Sequence, residues 1–129
     1  GVIFPDLHYG RDALIGVALF LSFLAETGFK PTQIRAKYPA YAMSKRKVNL
    51  EGKAPADEVL QQLTSQYAQE DIQTIDGLWI NRGNAWVHVR KSNTEPILRI
   101  YTEATNQEMA DNLAEEMLNH IQQLSPSKV

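Results

Sequence analysis

The spacing of apolar and polar residues changes period several times along the chain. Val2 to Phe4 is a short β-like run ended by Pro5, and Asp6 to Gly10 is a loop with turn residues at both ends. From Asp12 the pattern becomes helical. Asp12 is placed to cap a helix running to about Thr27, and Gly28 suits the position just past its end. Leu14, Ile15, Val17, Leu19, Phe20, Leu21, Phe23 and Leu24 leave this helix almost no polar face, which predicts burial on more than one side. Yet the 129 residues offer little to cover it, and the expectation is of missing neighbours. The apolar stretch Ala13 to Ala25 falls short of the ~20 residues that span a bilayer, and it lacks the flanks of a signal peptide.

Pro31 and Pro39 then bracket a short amphipathic turn, Gln33 to Lys37, which reads as a linker. The chain is therefore expected to divide into residues 1–39 and residues 40–129. Tyr41 to Leu50 reads as a strand with Ala42, Met43 and Val48 among Lys45, Arg46 and Lys47. Pro55 starts a helix to about Ala68, with Val59, Leu60, Leu63 and Tyr67 on one face. Three strand-like runs follow: Ile72 to Ile80, interrupted by Asp76-Gly77, then Ala85 to Arg90, then Ile97 to Glu103. Asn81-Arg82-Gly83-Asn84 has the chemistry of a hairpin turn. Thr105 to Glu108 is a T-x-x-E capping box before a last helix carrying Met109, Leu113, Met117, Leu118 and Ile121, and residues after Leu124 are expected to fray. The pattern predicts an α+β fold: a small antiparallel sheet with two helices on one face.

Composition narrows the function. With 43% hydrophobic and 22% charged residues the chain is an ordinary globular sequence. A net charge of −2 argues against a general nucleic-acid binder. No cysteine is present, which excludes disulfides and thiolate metal sites and fits a cytoplasmic location. Gly1-Val2-Ile3-Phe4-Pro5 begins inside a strand-like run without a methionine, and the expectation is a piece of a longer chain.

Candidate chemistry collects between the last two strands. Val87 and Val89 share one face, and Trp86, His88 and Arg90 share the other; Leu98 and Ile100 are opposed in the same way by Arg99 and Tyr101. Packing the valine and leucine faces into a core projects Arg90 and Arg99 from one outer face, near a turn of Ser92, Asn93 and Thr94 closed by Pro96. Guanidinium forks, hydroxyls and free turn N–H groups together suit a phosphate dianion. The plainer alternative is a polar turn whose arginines are solvated or paired with Glu95 and Glu103.

The string Arg90-Lys91-Ser92-Asn93-Thr94-Glu95-Pro96, with Arg99 and then Tyr101-Thr102-Glu103-Ala104, resembles the phosphate-binding loop of the α-D-phosphohexomutases, the family of phosphoglucomutase, phosphomannomutase and phosphoglucosamine mutase. Gly1 to Asp12 resembles the segment after that family's sugar-binding G-E-x-x-G loop. Together the two cover nearly the whole chain, as the end of a third, sugar-binding domain (1–39) and a complete fourth, phosphate-binding domain (40–129) similar in fold to the TATA-binding protein. Likeness of fold does not carry DNA binding with it.

The resemblance implies that Arg90, Ser92, Asn93, Thr94 and Arg99 bind the phosphate of a hexose phosphate, and it gives Lys91 and Glu95 no direct role. It also implies a parent enzyme that interconverts hexose 1- and 6-phosphates. A phosphoserine in its first domain, Mg²⁺ on three aspartates of its second domain and a bisphosphate intermediate carry the reaction. This sequence has no T-A-S-H-N-P, D-G-D-x-D-R or G-E-x-x-G loop. The expectation is therefore a chain without mutase activity or metal of its own, whose partners are the hexose phosphate and the remaining domains, with neither nucleic acid nor membrane among them.

Other residues read more plainly. His8, although its segment adjoins the family's sugar loop, reads as a surface residue. His88 suits a cross-strand partner better than a role in orienting the loop, Arg11 an ion pair with Asp6 or Asp12, and Trp79 and Trp86 packing. Neighbours on a strand face opposite ways, so Lys45, Arg46 and Lys47 fit a solvated edge strand better than a nucleic-acid patch. The rival function is a non-catalytic module that holds a protein or RNA through this strand and the loop.

Overall fold

The computed structural model describes residues 1–125. The chain divides into two compact units, Gly1–Pro39 and Ala40–Val129.

In the first unit, helix α1 spans Ala13–Thr27. The Asp12 carboxylate caps it by accepting hydrogen bonds from Leu14 N (2.8 Å) and Ile15 N (3.1 Å). These bonds, the one from Ile15 first, together with His8, hold the Asp12 carboxyl below its usual range. Gly28 ends the helix in the left-handed conformation. One expectation fails here. Val2 to Phe4 forms no strand but only an isolated bridge between Phe4 and His8, because the backbone folds straight back: Leu7 N and His8 N both donate to Phe4 O. No residue of α1 is buried, and Leu14 is 81% exposed; Val2 of the leading segment lies against Gly16. A second short helix, α2 (Pro31–Arg35), follows, with the Gln33 side chain accepting from Lys30 N at 2.8 Å.

The second unit runs β1 (Ala42–Asn49), α3 (Ala56–Gln66), β2 (Asp71–Gln73), β3 (Leu78–Asn81), β4 (Trp86–Lys91), β5 (Ile97–Ala104) and α4 (Gln107–Leu124). The sheet is antiparallel throughout, in the order β1-β5-β4-β3-β2. Alternation sends Leu78, Ile80, Val87, Val89, Leu98 and Ile100 to one face, where they meet Val59 and Leu63 of α3 and Met117 and Ile121 of α4 in a single core. Among the described residues of this unit, no element covers the other face. This is the α+β arrangement read from the sequence, with both helices on one side.

Three local readings need correction. The run Ile72 to Ile80 is two strands, β2 and β3, folded on each other about Asp76-Gly77, where Gly77 takes a φ of +81°. Asn106, not Thr105, caps α4: its side chain accepts from Met109 N at 2.8 Å, while the Thr105 hydroxyl turns to Met109 Sδ. With the helix phased from Asn106, its buried residues are Ala110, Ala114, Met117 and Ile121, and Met109 is exposed. The expected fraying after Leu124 falls on residues 126–129, outside the described residues; Ser125 is buried and its hydroxyl donates to Ile121 O at 2.6 Å. Among the described residues no helix is long and apolar enough to cross a membrane.

Candidate functional site

Antiparallel register decides which side chains meet on the open face. Arg90 of β4 lies directly opposite Arg99 of β5, and Val89 opposite Ile100. The valine and isoleucine are fully buried, so both arginines stand on the uncovered side, half-buried. The loop between them is fixed at its neck by Ser92 N donating to Ile97 O (3.1 Å), and across to the end of β1 by Leu50 N donating to Pro96 O (2.8 Å).

Ser92 is the centre of this loop. Its Oγ accepts from Thr94 N at 3.4 Å and from an Arg99 Nη at 3.4 Å, and lies 3.5 Å from the Thr94 hydroxyl. Ser92, Thr94 and Arg99 are thus brought together. Arg90 is drawn the other way, to the Asp76 carboxylate at 3.1 Å. Asn93 is exposed at the tip, where its side chain makes no hydrogen bond among the described residues. Lys91 reaches α3, pairing with Asp57 at 2.6 Å, and so anchors the loop rather than facing into it.

Of the two carboxylates named in the plainer alternative, one lies beside an arginine. Glu95 sits 3.8 Å from Arg99, a loose contact, whereas Glu103 accepts from the Trp86 indole at 3.1 Å. Arg90's partner, Asp76, escapes a sequence reading because it comes from the β2–β3 turn and only the β3–β4 register brings it near. His88 secures that turn through a 2.6 Å hydrogen bond between Nε2 and Asp76 O. His8 lies 3.1 Å from Asp12, and Arg11 forms no ion pair among the described residues, contrary to expectation.

The basic run of β1 divides as alternation requires. Arg46 turns to the helical side and pairs with Asp111 and Glu115, each at 3.1 Å, while Lys45 and Lys47 remain on the open face with Arg99 and Tyr101. β1 is indeed an edge strand.

The donors around Ser92 are cationic forks, hydroxyls and turn N–H groups, which recognise an anion. Among the described residues Ser92 Oγ touches Thr94 and Arg99 and no base that could take its proton. This donor set of cations and hydroxyls does not suit Mg²⁺, and among the described residues no group of three or more acidic or histidine side chains could hold a metal ion.

Comparison with known proteins gives the family. Residues 43–120 match the family model described as phosphoglucomutase/phosphomannomutase, C-terminal domain. The chain is 34% identical over 119 residues to the phosphoglucosamine/phosphogalactosamine mutase of Sulfurisphaera tokodaii, covering 91% of this chain and 26% of that protein. It is 36% identical over 110 residues to the phosphoglucomutase/phosphomannomutase of Thermococcus kodakarensis, covering 85% of this chain and 24% of that protein. The chain thus spans about a quarter of the length of these relatives. Among solved structures, the N-acetylphosphoglucosamine mutase of Aspergillus fumigatus, crystallised with GlcNAc-6P and magnesium, shares the fold with a TM-score of 0.56 at 21% identity, over 88% of this chain and 21% of that one. The chain belongs to the phosphoglucomutase/phosphomannomutase family and carries its C-terminal domain.

Proposed function

We propose that the loop from Arg90 to Arg99 grips the phosphate of a hexose phosphate, as the positioning element of a sugar-phosphate mutase. The observation that carries this reading is the placement of Arg90 and Arg99 side by side on the open face, flanking a turn of hydroxyls and N–H donors. Two like charges directly opposite each other on a sheet are unfavourable alone, and a bound dianion turns that repulsion into a bidentate site. Arg90, Ser92, Asn93, Thr94 and Arg99 are the proposed ligands. Asn93, exposed at the tip, supplies an amide and a backbone N–H.

In the mutase the phosphoryl group that reacts is handled elsewhere. Mg²⁺ and the phosphoserine belong to other domains of such an enzyme, and Gly1–Pro39 reads as the end of its sugar-binding domain. This loop holds the phosphate that is not reacting, so its contribution is orientation and remote binding energy. The rival, a protein- or RNA-binding module, draws little from the basic strand, since Arg46 is already engaged by Asp111 and Glu115 on the opposite side.

Titrating the ¹⁵N-labelled chain with glucose 6-phosphate is expected to shift the amides of Ser92, Asn93 and Thr94, while glucose leaves them in place. Equal responses to both sugars would overturn the reading. Asp76 competes for Arg90 in the free protein, so Asp76→Asn is expected to tighten binding. The gain should stay within about fivefold, because an exposed pair contributes ~1 kcal/mol or less. The same titration measures it.

A further inference from the structure

We propose that Lys47 is a third cation of the phosphate grip, supplied from the neighbouring edge strand. This inference rests on the reading of the loop given above. In register, Lys47 of β1 lies opposite Arg99 of β5, which lies opposite Arg90 of β4, so three cations form one row across three adjacent strands. All three stand on the open face, since Val48, Leu98 and Val89, their neighbours in sequence, are buried. Side chains directly opposite on antiparallel strands have Cβ atoms about 4.5–5.5 Å apart, within mutual reach of one bound dianion above the middle residue.

The charges in this row are unevenly compensated. Arg90 has Asp76 at 3.1 Å and Arg99 has Glu95 at 3.8 Å, whereas Lys47 has no carboxylate within 4.0 Å among the described residues. An edge strand often carries lysines only to discourage pairing with other chains. Two features single out Lys47 from that role. It shares with Arg99 a depression of about 440 Å³ on the open face, which Glu95, Ile97, Tyr101 and Lys45 also line. In addition, the bond from Leu50 N to Pro96 O locks the end of β1 to the base of the loop, so Lys47 cannot slip out of line with Arg99. Lys45 stands one row further along, 5.9 Å from the Tyr101 ring.

The chemistry fits a dianion. The two arginines offer planar forks, and an ammonium group adds a compact charge that can turn any of its three N–H groups toward a phosphate oxygen. Lys47 should therefore matter more for a phosphate ester, which carries nearly two charges above pH ~6, than for a singly charged ester of the same shape.

The test compares the wild-type chain with Lys47→Gln, Lys47→Arg and Lys30→Gln by NMR titration, using glucose 6-phosphate and glucose 6-sulfate at pH 7.5. Lys30→Gln makes the same charge change in the first unit. Lys47→Gln is expected to weaken glucose 6-phosphate binding about tenfold and glucose 6-sulfate binding distinctly less, with Lys47→Arg close to wild type and Lys30→Gln unchanged. Unaltered core amides of Leu98 and Ile100 would certify that the variant folds. If wild type binds glucose 6-phosphate through Ser92 to Thr94 and Lys47→Gln binds equally well, the role of Lys47 is refuted and the loop reading stands. That role is refuted equally if Lys30→Gln loses as much. If the wild type shows no phosphate-dependent shift at the loop, both readings fall together.

Discussion

Replacing Gly77 with alanine is expected to cost the second unit several kcal/mol of stability, the largest effect of any single methyl group added to this fold. A Cβ at this position would stand 2.2 Å from Val89 O, 2.9 Å from Arg90 Cα and 3.1 Å from Arg90 Cβ. The first two are main-chain atoms of a strand paired on both sides, so neither can swing away as the end of a side chain would. The φ of +81° adds a conformational cost of ~1–2 kcal/mol for any residue with a Cβ. In a domain of this size each kcal/mol lowers the melting temperature by about 4–8 °C, so a drop well above 10 °C in a circular-dichroism melt is expected. A melting temperature within two or three degrees of wild type would show that the β2–β3 turn does not approach β4 as closely as described. The substitution also disturbs Asp76 and Arg90, so any phosphate binding by the surviving folded fraction should weaken as well.

Arg99→Ala is expected to reduce glucose 6-phosphate binding more than any other single change in the loop. Arg99 stands between Arg90 and Lys47, and it is the arginine that contacts the Ser92 hydroxyl. Its own partner, Glu95, is distant at 3.8 Å, so little is given up when a phosphate takes its place. A charge-assisted hydrogen bond contributes about 1.5–3 kcal/mol, which corresponds to a loss of roughly 10- to 150-fold in affinity. Arg90→Ala should cost less, because Arg90 must first leave Asp76. Fitting dissociation constants for both variants from one NMR series tests the order. Arg99→Ala binding as tightly as wild type would remove Arg99 from the site. Neither change should unfold the domain, since both side chains lie on the face away from the core.

Much of this is legible in the sequence because β alternation is a strong signal when one face is apolar. Val87, Val89, Leu98 and Ile100 define the inner face, and Arg90 and Arg99 follow as outer residues without any structure. What cannot be read depends on pairings between distant segments. Asp76 belongs to a turn that sequence marks clearly, yet nothing local says that it faces Arg90. In sequence Lys47 is one residue of a basic run; only the pairing of β1 with β5 sets it beside Arg99. The cap at Asn106 is hidden for a different reason. Thr105 and Asn106 are both good caps, and propensity alone does not say which of them turns its oxygen to the helix. The apolar segment α1 forms the helix its pattern predicts but not the burial, because composition reports a preference for burial and not the presence of a partner.

The pairing of β1 with β5 also bears on how the site comes into being. Ala42, at the start of the second unit, and Ala104, beyond all its other strands in sequence, meet in the same ladder. Closing so long a stretch of chain is entropically slow compared with forming the β4–β5 hairpin, whose strands are joined directly by the Ser92 loop. The hairpin and its two arginines can therefore assemble early as a local unit, with the first strand docking afterwards. On that order of events, Lys47 arrives last, and the row of cations is completed only when the sheet is.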